Sequence, residues 1–142
     1  MIRELGADEI GLSFDAMRAL RTHLIDESSY VEQVREQLGD GYRLLGAFDG
    51  EQVVAVAGFR LGTNLAWGRY CYIDDLSTLP EARGAGHAYR LVERVKSLAA
   101  EAGIAVVHLD SGVQSERQKA HELYFRTGFR IACYHFQAPS GA

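Results

Sequence analysis

Hydrophobic and polar residues follow different rhythms along this chain, and each change of rhythm marks a change of element. Between Ser13 and about Leu38, the apolar residues Phe14, Met17, Leu20 and Leu24 recur three or four positions apart, the spacing of one helix face. Two helices are expected there, the second opened by Ser29 and Glu32 as a capping box. The preceding "MIRELGADEI" allows a short first strand. "YRLLGAF" and "QVVAVAGFRL" are then apolar and β-rich, joined by Asp49 and Gly50, a pair suited to the positive φ angles of a tight hairpin. After the loop "GTNLAWG", "RYCYIDDLST" supplies a third strand, and the three are expected to form an antiparallel meander.

After Pro80 the period becomes 3.6. Ala88, Leu91, Val92, Val95, Leu98, Ala99 and Ala102 fall on one helix face, and Gly103 stands where a left-handed residue would close the helix. "IAVVHLD" reads as a short buried strand. A strand, a crossover helix and a strand over residues 70–110 make the two strands parallel neighbours. Ser115 and Gln118 repeat the capping-box pattern before a helix reaching about Thr127, "FRIACYHFQ" reads as a closing strand, and "QAPSGA" as a fraying tail. The expected fold class is α/β of the α+β type, a single domain over residues 1–142 with about four helices. Its mixed sheet would have about six to seven strands, an antiparallel N-terminal meander and a central parallel pair.

Composition narrows the function. A chain of 142 residues, 47% hydrophobic and 24% charged, has material for one globular core. Its net charge of −4 argues against a diffuse basic surface for nucleic acid or anionic membrane, so neither is expected as a partner. Cys71 and Cys133 lie far apart without a Cys/His cluster, so free buried thiols are expected, with no disulfide and no metal. No run approaches a membrane span and "MIRELGADEIGL" does not read as a leader, so a cytoplasmic protein is expected.

The stretch "LPEARGAGHAYRLVERV" carries the first chemistry. Gly84 and Gly86 sit where a strand gives way to a helix, so unpaired amides point outward at the positive end of the helix dipole. With Arg83 beside them, they suit either a phosphate-bearing ligand or a plain strand-to-helix turn. The loop lacks the Lys and Ser/Thr of a P-loop and the third glycine of a dinucleotide fold.

"PEARGAGHA" fits the pattern [Q/R]xxGx[G/A] at Arg83, Gly86 and Ala88, and "AHELYFRTGF" at residues 120–129 places an alanine before a leucine-tyrosine pair and a glycine-phenylalanine pair. With both motifs in order, the chain resembles the GNAT superfamily of acetyl-CoA-dependent N-acetyltransferases over most of its length. The resemblance implies acetyl-CoA as cosubstrate, its pyrophosphate on the amides of Gly84, Ala85, Gly86, His87, Ala88 and Tyr89, and its pantetheine arm paired with backbone at Leu76, Ser77 and Thr78. The tyrosine near the sulfur, the general acid, would be Tyr124, and the Leu76 N–H would meet the oxyanion. The same positions in a plain domain would be a strand end and a helix tyrosine packed on a sheet. Arg117 stands where members often carry an asparagine, seven residues before the tyrosine. An arginine there suits a phosphate or an adenine face.

"YIDDLST" resembles the acidic strand of members that acetylate small amines. By that resemblance Asp74 is a candidate base and Asp75 helps bind a cationic substrate. Alternation across the pleat would turn the two carboxylates to opposite faces. A surface salt bridge is the alternative for the pair. Tyr30, with Tyr70, Tyr72 and Trp67, is a candidate lining of the acceptor pocket or part of the core. His87 lies in the loop, His121 and His135 face a cleft or pack, and His108 reads as a core residue. The implied activity is transfer of an acetyl group to a primary amine, a small cationic or lysine-like group, by direct attack in a ternary complex. A catalytically inactive acetyl-CoA-binding sensor and a nucleotide-binding domain are the competing classes. Edge strands and aromatic residues are compatible with a homodimer.

Overall fold

Nearly every position of "YRLLGAF" and "QVVAVAGF" is apolar because the central strands are covered on both faces. A computed structural model describes residues 1–142. It divides into two compact units, residues 1–109 and 110–142.

The first unit holds five strands: β1 (Ile2–Glu4), β2 (Tyr42–Asp49), β3 (Gln52–Asn64), β4 (Gly68–Thr78) and β5 (Val107–Leu109). They lie in the order β1-β2-β3-β4-β5, antiparallel throughout except for the parallel β4–β5 pair. The meander and the parallel crossover are therefore as expected. The sheet has five strands rather than six to seven, because residues after Arg126 form no ladder. The β2–β3 hairpin pairs Asp49 with Gln52, so Gly50 (φ 62°) and Glu51 make the turn.

One sheet face carries Leu44, Val54 and Val56 under the helices α1 (Phe14–Arg18) and α2 (Glu27–Gly39), which bury Phe14, Met17, Tyr30 and Val34 against it. The other face carries Leu45, Ala55, Ala57, Phe59, Cys71 and Ile73 under α3 (His87–Glu101), through Leu91, Val95 and Ala99. Adjacent residues thus serve opposite cores, as the period of two requires.

The start of α2 and the end of α1 differ from expectation. Asp26, not Ser29, caps α2, its Oδ1 accepting the Ser29 N–H at 2.8 Å. A carboxylate at the first non-helical position is the better acceptor, so the helix begins earlier. The first helix ends at Arg18, short of Leu20 and Leu24, and a turn then carries Arg21 toward β4. Gly103 closes α3 as expected: it is left-handed (φ 76°), and the Ile104 N–H returns to the Ala99 carbonyl at 2.9 Å.

The second unit contains a short 3-10 turn at Ser115–Arg117 and the helix α4 (Gln118–Arg126). Neither Gln114 nor Arg117 makes a side-chain cap, so the Ser115–Gln118 capping box does not form. "FRIACYHFQ" is not a strand here: residues 130–142 are exposed and lack a partner strand. No helix is long and apolar enough to cross a membrane.

Candidate active site

Asp74 and Asp75 share one face of the sheet, contrary to simple alternation. Gly58 pairs with Asp75 and Phe59 with Ile73, which leaves Asp74 as the extra residue of a β-bulge. The bulge turns both carboxylates toward the face that carries Tyr42 and Arg60, themselves a cross-strand pair. Asp75 Oδ1 accepts from Arg21 Nε at 2.9 Å, and its Oδ2 accepts from the Tyr42 hydroxyl at 2.7 Å. Asp74 Oδ2 accepts from Arg60 Nε at 2.6 Å, and Arg60 Nη2 donates to Gln37 Oε1 at 2.8 Å. Arg21 Nη2 also donates to the Asp74 carbonyl at 2.8 Å, fastening the bulge.

The structure therefore realises the salt-bridge arrangement for both acids, and no hydrogen bond is formed by Asp74 Oδ1. Tyr42 is buried against Asp75, and burial together with that negative charge drives its pKa far up. Tyr30 sits in the core: its ring packs 5.5 Å from Phe14 and its hydroxyl lies 2.7 Å from Ser13 Oγ. Burial pushes its phenol up to about 12.

Beyond Ile73 the β5 ladder stops, because β5 pairs only with Cys71, Tyr72 and Ile73. The outer edge of residues 74–78, Leu76 and Thr78 included, therefore has no partner strand. Ser77 turns its side chain the other way, donating to the Ala16 carbonyl at 2.7 Å.

The glycine loop follows through a 3-10 turn at Pro80–Ala82. Gly84 (φ 86°) and Gly86 (φ 82°) are both left-handed, a conformation that side-chain-bearing residues resist. Gly86 is the N-cap of α3 and offers no side-chain acceptor, and no acid lies in the first turn. The start of α3 is thus an uncapped set of amides, whereas α2 is closed by Asp26. Nothing lies within 4 Å of a Cβ built at Gly84, so the space above it is open. Arg83 Nε reaches back to the Thr78 carbonyl at 3.4 Å, and His87 Nδ1 lies 3.1 Å from Arg90 Nη2. Ala85, Ala88 and Tyr89 complete this loop and first turn, with Tyr89 exposed.

In the second unit the Tyr-Phe-Arg-Thr-Gly-Phe run forms the end of α4. Gly128 is left-handed (φ 93°), the Phe129 N–H returns to the Tyr124 carbonyl at 2.9 Å, and the two rings meet at 5.9 Å. Thr127 Oγ1 donates to the Leu123 carbonyl at 2.9 Å. The motif is a helix stop that locks Tyr124 in place. Burial raises the Tyr124 pKa above the ordinary phenol value, opposed by the Arg117 guanidinium. His121 Nε2 lies 3.0 Å from Ser111 Oγ, and His135 Nδ1 lies 2.9 Å from Asp110 Oδ2.

The apolar setting of "IAVVHLD" predicts a core position for His108, and no sequence motif marks Arg21, Tyr42, Gly58 or Arg60. His108 is instead half-buried, stacked 3.7 Å from Trp67. The only signal for the other four was indirect, namely that two adjacent acids on an apolar strand need partners. Cys71 is buried as expected, but Cys133 is exposed. No cluster of residues able to hold a metal is present.

A family model described as acetyltransferase (GNAT) family matches residues 14–129. No curated protein matches by sequence. Solved structures similar to this chain include a ribosomal-protein-alanine N-acetyltransferase from Brucella melitensis, with a TM-score of 0.84, 16% identity, and 98% of this chain and 99% of that chain covered. An aminoglycoside acetyltransferase from an uncultured soil metagenomic sample has a TM-score of 0.80 and 23% identity, covering 98% and 97%. A predicted acetyltransferase from Clostridium acetobutylicum, solved with acetyl-CoA, has a TM-score of 0.74 and 16% identity, covering 98% and 95%. At these identities the likeness establishes the fold.

Proposed function

Since the chain belongs to the acetyltransferase (GNAT) family, we propose that it transfers an acetyl group from acetyl-CoA to a primary amine by direct attack in a ternary complex. The observation that carries this reading is the uncapped start of α3, with left-handed Gly84 and Gly86. Amides there have no internal acceptor, and the dipole favours an anion. Residues Arg83 to Tyr89 would hold the pyrophosphate of acetyl-CoA. Residues Leu76 to Thr78, whose outer edge has no partner strand, would hold its pantetheine arm through backbone bonds. When bound, acetyl-CoA supplies an activated thioester carbonyl.

The transfer forms an N–C bond and breaks a C–S bond, with one proton leaving nitrogen and one reaching sulfur. The Leu76 N–H is assigned to the developing oxyanion and Tyr124 to the sulfur-bound proton. A phenol is protonated at neutral pH whether or not burial raises its pKa, so Tyr124 carries a proton to give. Asp74 is assigned to the amine, since it alone of the acidic pair keeps an oxygen without a hydrogen bond. Asp75, held by Arg21 and Tyr42, serves to fix that strand. Arg117 is assigned to the anionic end of acetyl-CoA or to restraining Tyr124.

Calorimetry with acetyl-CoA and thiol detection of released coenzyme A across an amine panel test this reading. Saturable binding with amine-dependent release is expected, and Tyr124→Phe is expected to lower kcat at least tenfold with little change in acetyl-CoA affinity. Absence of acetyl-CoA binding overturns the proposal. The ion pairing of both aspartates favours a second reading, a coenzyme A-binding module without turnover; binding with no release for any amine would select it.

A further inference from the structure

Trp67, Tyr70 and Tyr72, candidates from the sequence for lining an acceptor pocket, form with His108 an aromatic shelf that the acetyl-transfer steps above do not use. The Trp67 N–H donates to Asn64 Oδ1 at 2.7 Å, which folds the β3–β4 turn so that the indole lies back over the sheet. There it stacks on His108 with 3.7 Å between centroids and 13° between planes, and it lies parallel to Tyr72 at 6.3 Å. Tyr70 meets the indole edge-on at 5.6 Å. Tyr72 and His108 are register partners on β4 and β5, with rings within 9° of parallel. Gly62 lets the Tyr70 ring lie flat on the strand, since a Cβ there would sit 2.7 Å from the ring. His108 stacks on the indole, yet Trp67 remains 45% exposed.

This shelf lies on the acidic face of β4. Tyr72 and Asp74 are two positions apart, about 7 Å along a strand. Charge limits what fits beside them. Asp74 is paired with Arg60 and Asp75 with Arg21, so two acids meet two guanidinium groups and leave no surplus of negative charge for a polycation. A single carboxylate oxygen, Asp74 Oδ1, is left for a single ammonium.

Resting on the acetyl-transfer reading, we propose that the acceptor is an arylalkylamine, its planar ring packed against the Trp67–Tyr72 end of the shelf and its amine at Asp74 Oδ1. The spacing of the two positions suits a linker of two or three atoms. Ring stacking and cation–π attraction both reward this arrangement, whereas an aliphatic monoamine gains only area and a polyamine meets Arg21 and Arg60.

Trp67 is the only tryptophan, so its fluorescence reports occupation of the shelf whether or not turnover follows. Phenethylamine and 3-phenylpropylamine are expected to quench it and to show KM values at least tenfold below those of hexylamine and spermidine. Trp67→Ala should raise KM for the aryl amines about five- to tenfold and that for hexylamine less than about twofold, while Trp67→Phe restores most of the aryl preference. Equal or better use of hexylamine or spermidine, or an aryl KM indifferent to Trp67→Ala, overturns the proposal while coenzyme A release still upholds acetyl transfer. If acetyl-CoA fails to bind, the transfer reading falls instead, and the fluorescence titration decides the shelf: quenching by phenethylamine upholds it, no quenching overturns it.

Discussion

Tyr42 reaches from β2 across β3 to donate its phenolic hydrogen to Asp75 Oδ2 on β4, at 2.7 Å. Its ring crosses Gly58 so closely that a Cβ there would stand 1.7 Å from the hydroxyl oxygen. Gly58, Tyr42 and the Asp74 bulge are thus one arrangement. The glycine opens the path, the phenol holds Asp75, and the bulge places both acids on that face.

Gly58→Ala is expected to cost about 3 kcal/mol, because Tyr42 is buried and its ring cannot move aside. Urea unfolding checks the value, and a double-mutant cycle checks its cause. In a Tyr42→Ala background the added methyl has room, so the same substitution should cost under about 1 kcal/mol.

Gly84→Ala places a methyl into open space at φ 86°. The strain is about 1 kcal/mol, but the methyl enters the region assigned to the pyrophosphate, so acetyl-CoA affinity is expected to fall at least tenfold. Gly50→Ala, in the hairpin turn at φ 62° with the same open surroundings, provides the comparison. It should show similar strain in a melting curve and unchanged affinity by calorimetry.

Alkaline pH should unfold the protein from within. The Tyr30 pKa is raised by burial and by Asp75 to about 12, so the folded state holds its proton where the unfolded chain, near 10, has lost it. This stabilisation is complete below about pH 10 and is lost as pH rises from there toward 12, at roughly 1.4 kcal/mol per unit. Tyr42, raised in the same direction, adds to the slope. Urea midpoints at pH 9, 10 and 11 should decline progressively, and Tyr30→Phe should flatten the decline.

The two thiols should differ sharply toward a disulfide reagent at pH 8. Cys133 is exposed, whereas Cys71 is fully buried and its thiol is pushed up to about 11. One equivalent is expected to react quickly and the second only after denaturant is added.

Patterns confined to neighbours in sequence were legible without coordinates. The 3.6 period of α3, its left-handed stop at Gly103, the meander and the parallel crossover follow from periodicity and local sterics, while the two family motifs are legible as a resemblance. The motif "TGF" proves to be a physical device of the same kind, a helix stop that returns Phe129 onto Tyr124. Tertiary structure decided whatever depends on a partner far along the chain. The side on which Asp74 and Asp75 emerge depends on a register slip opposite Gly58, and a slip of one residue reverses a side chain's face. Their partners, Arg21, Tyr42 and Arg60, come from three other segments. "FRIACYHFQ" is rich in apolar and aromatic residues that suit a strand, yet a strand exists only where a neighbour supplies its ladder, and no residue of this segment is paired in the sheet. Periodicity states what a segment can become, whereas hydrogen-bond partners and close approach across strands decide what it is.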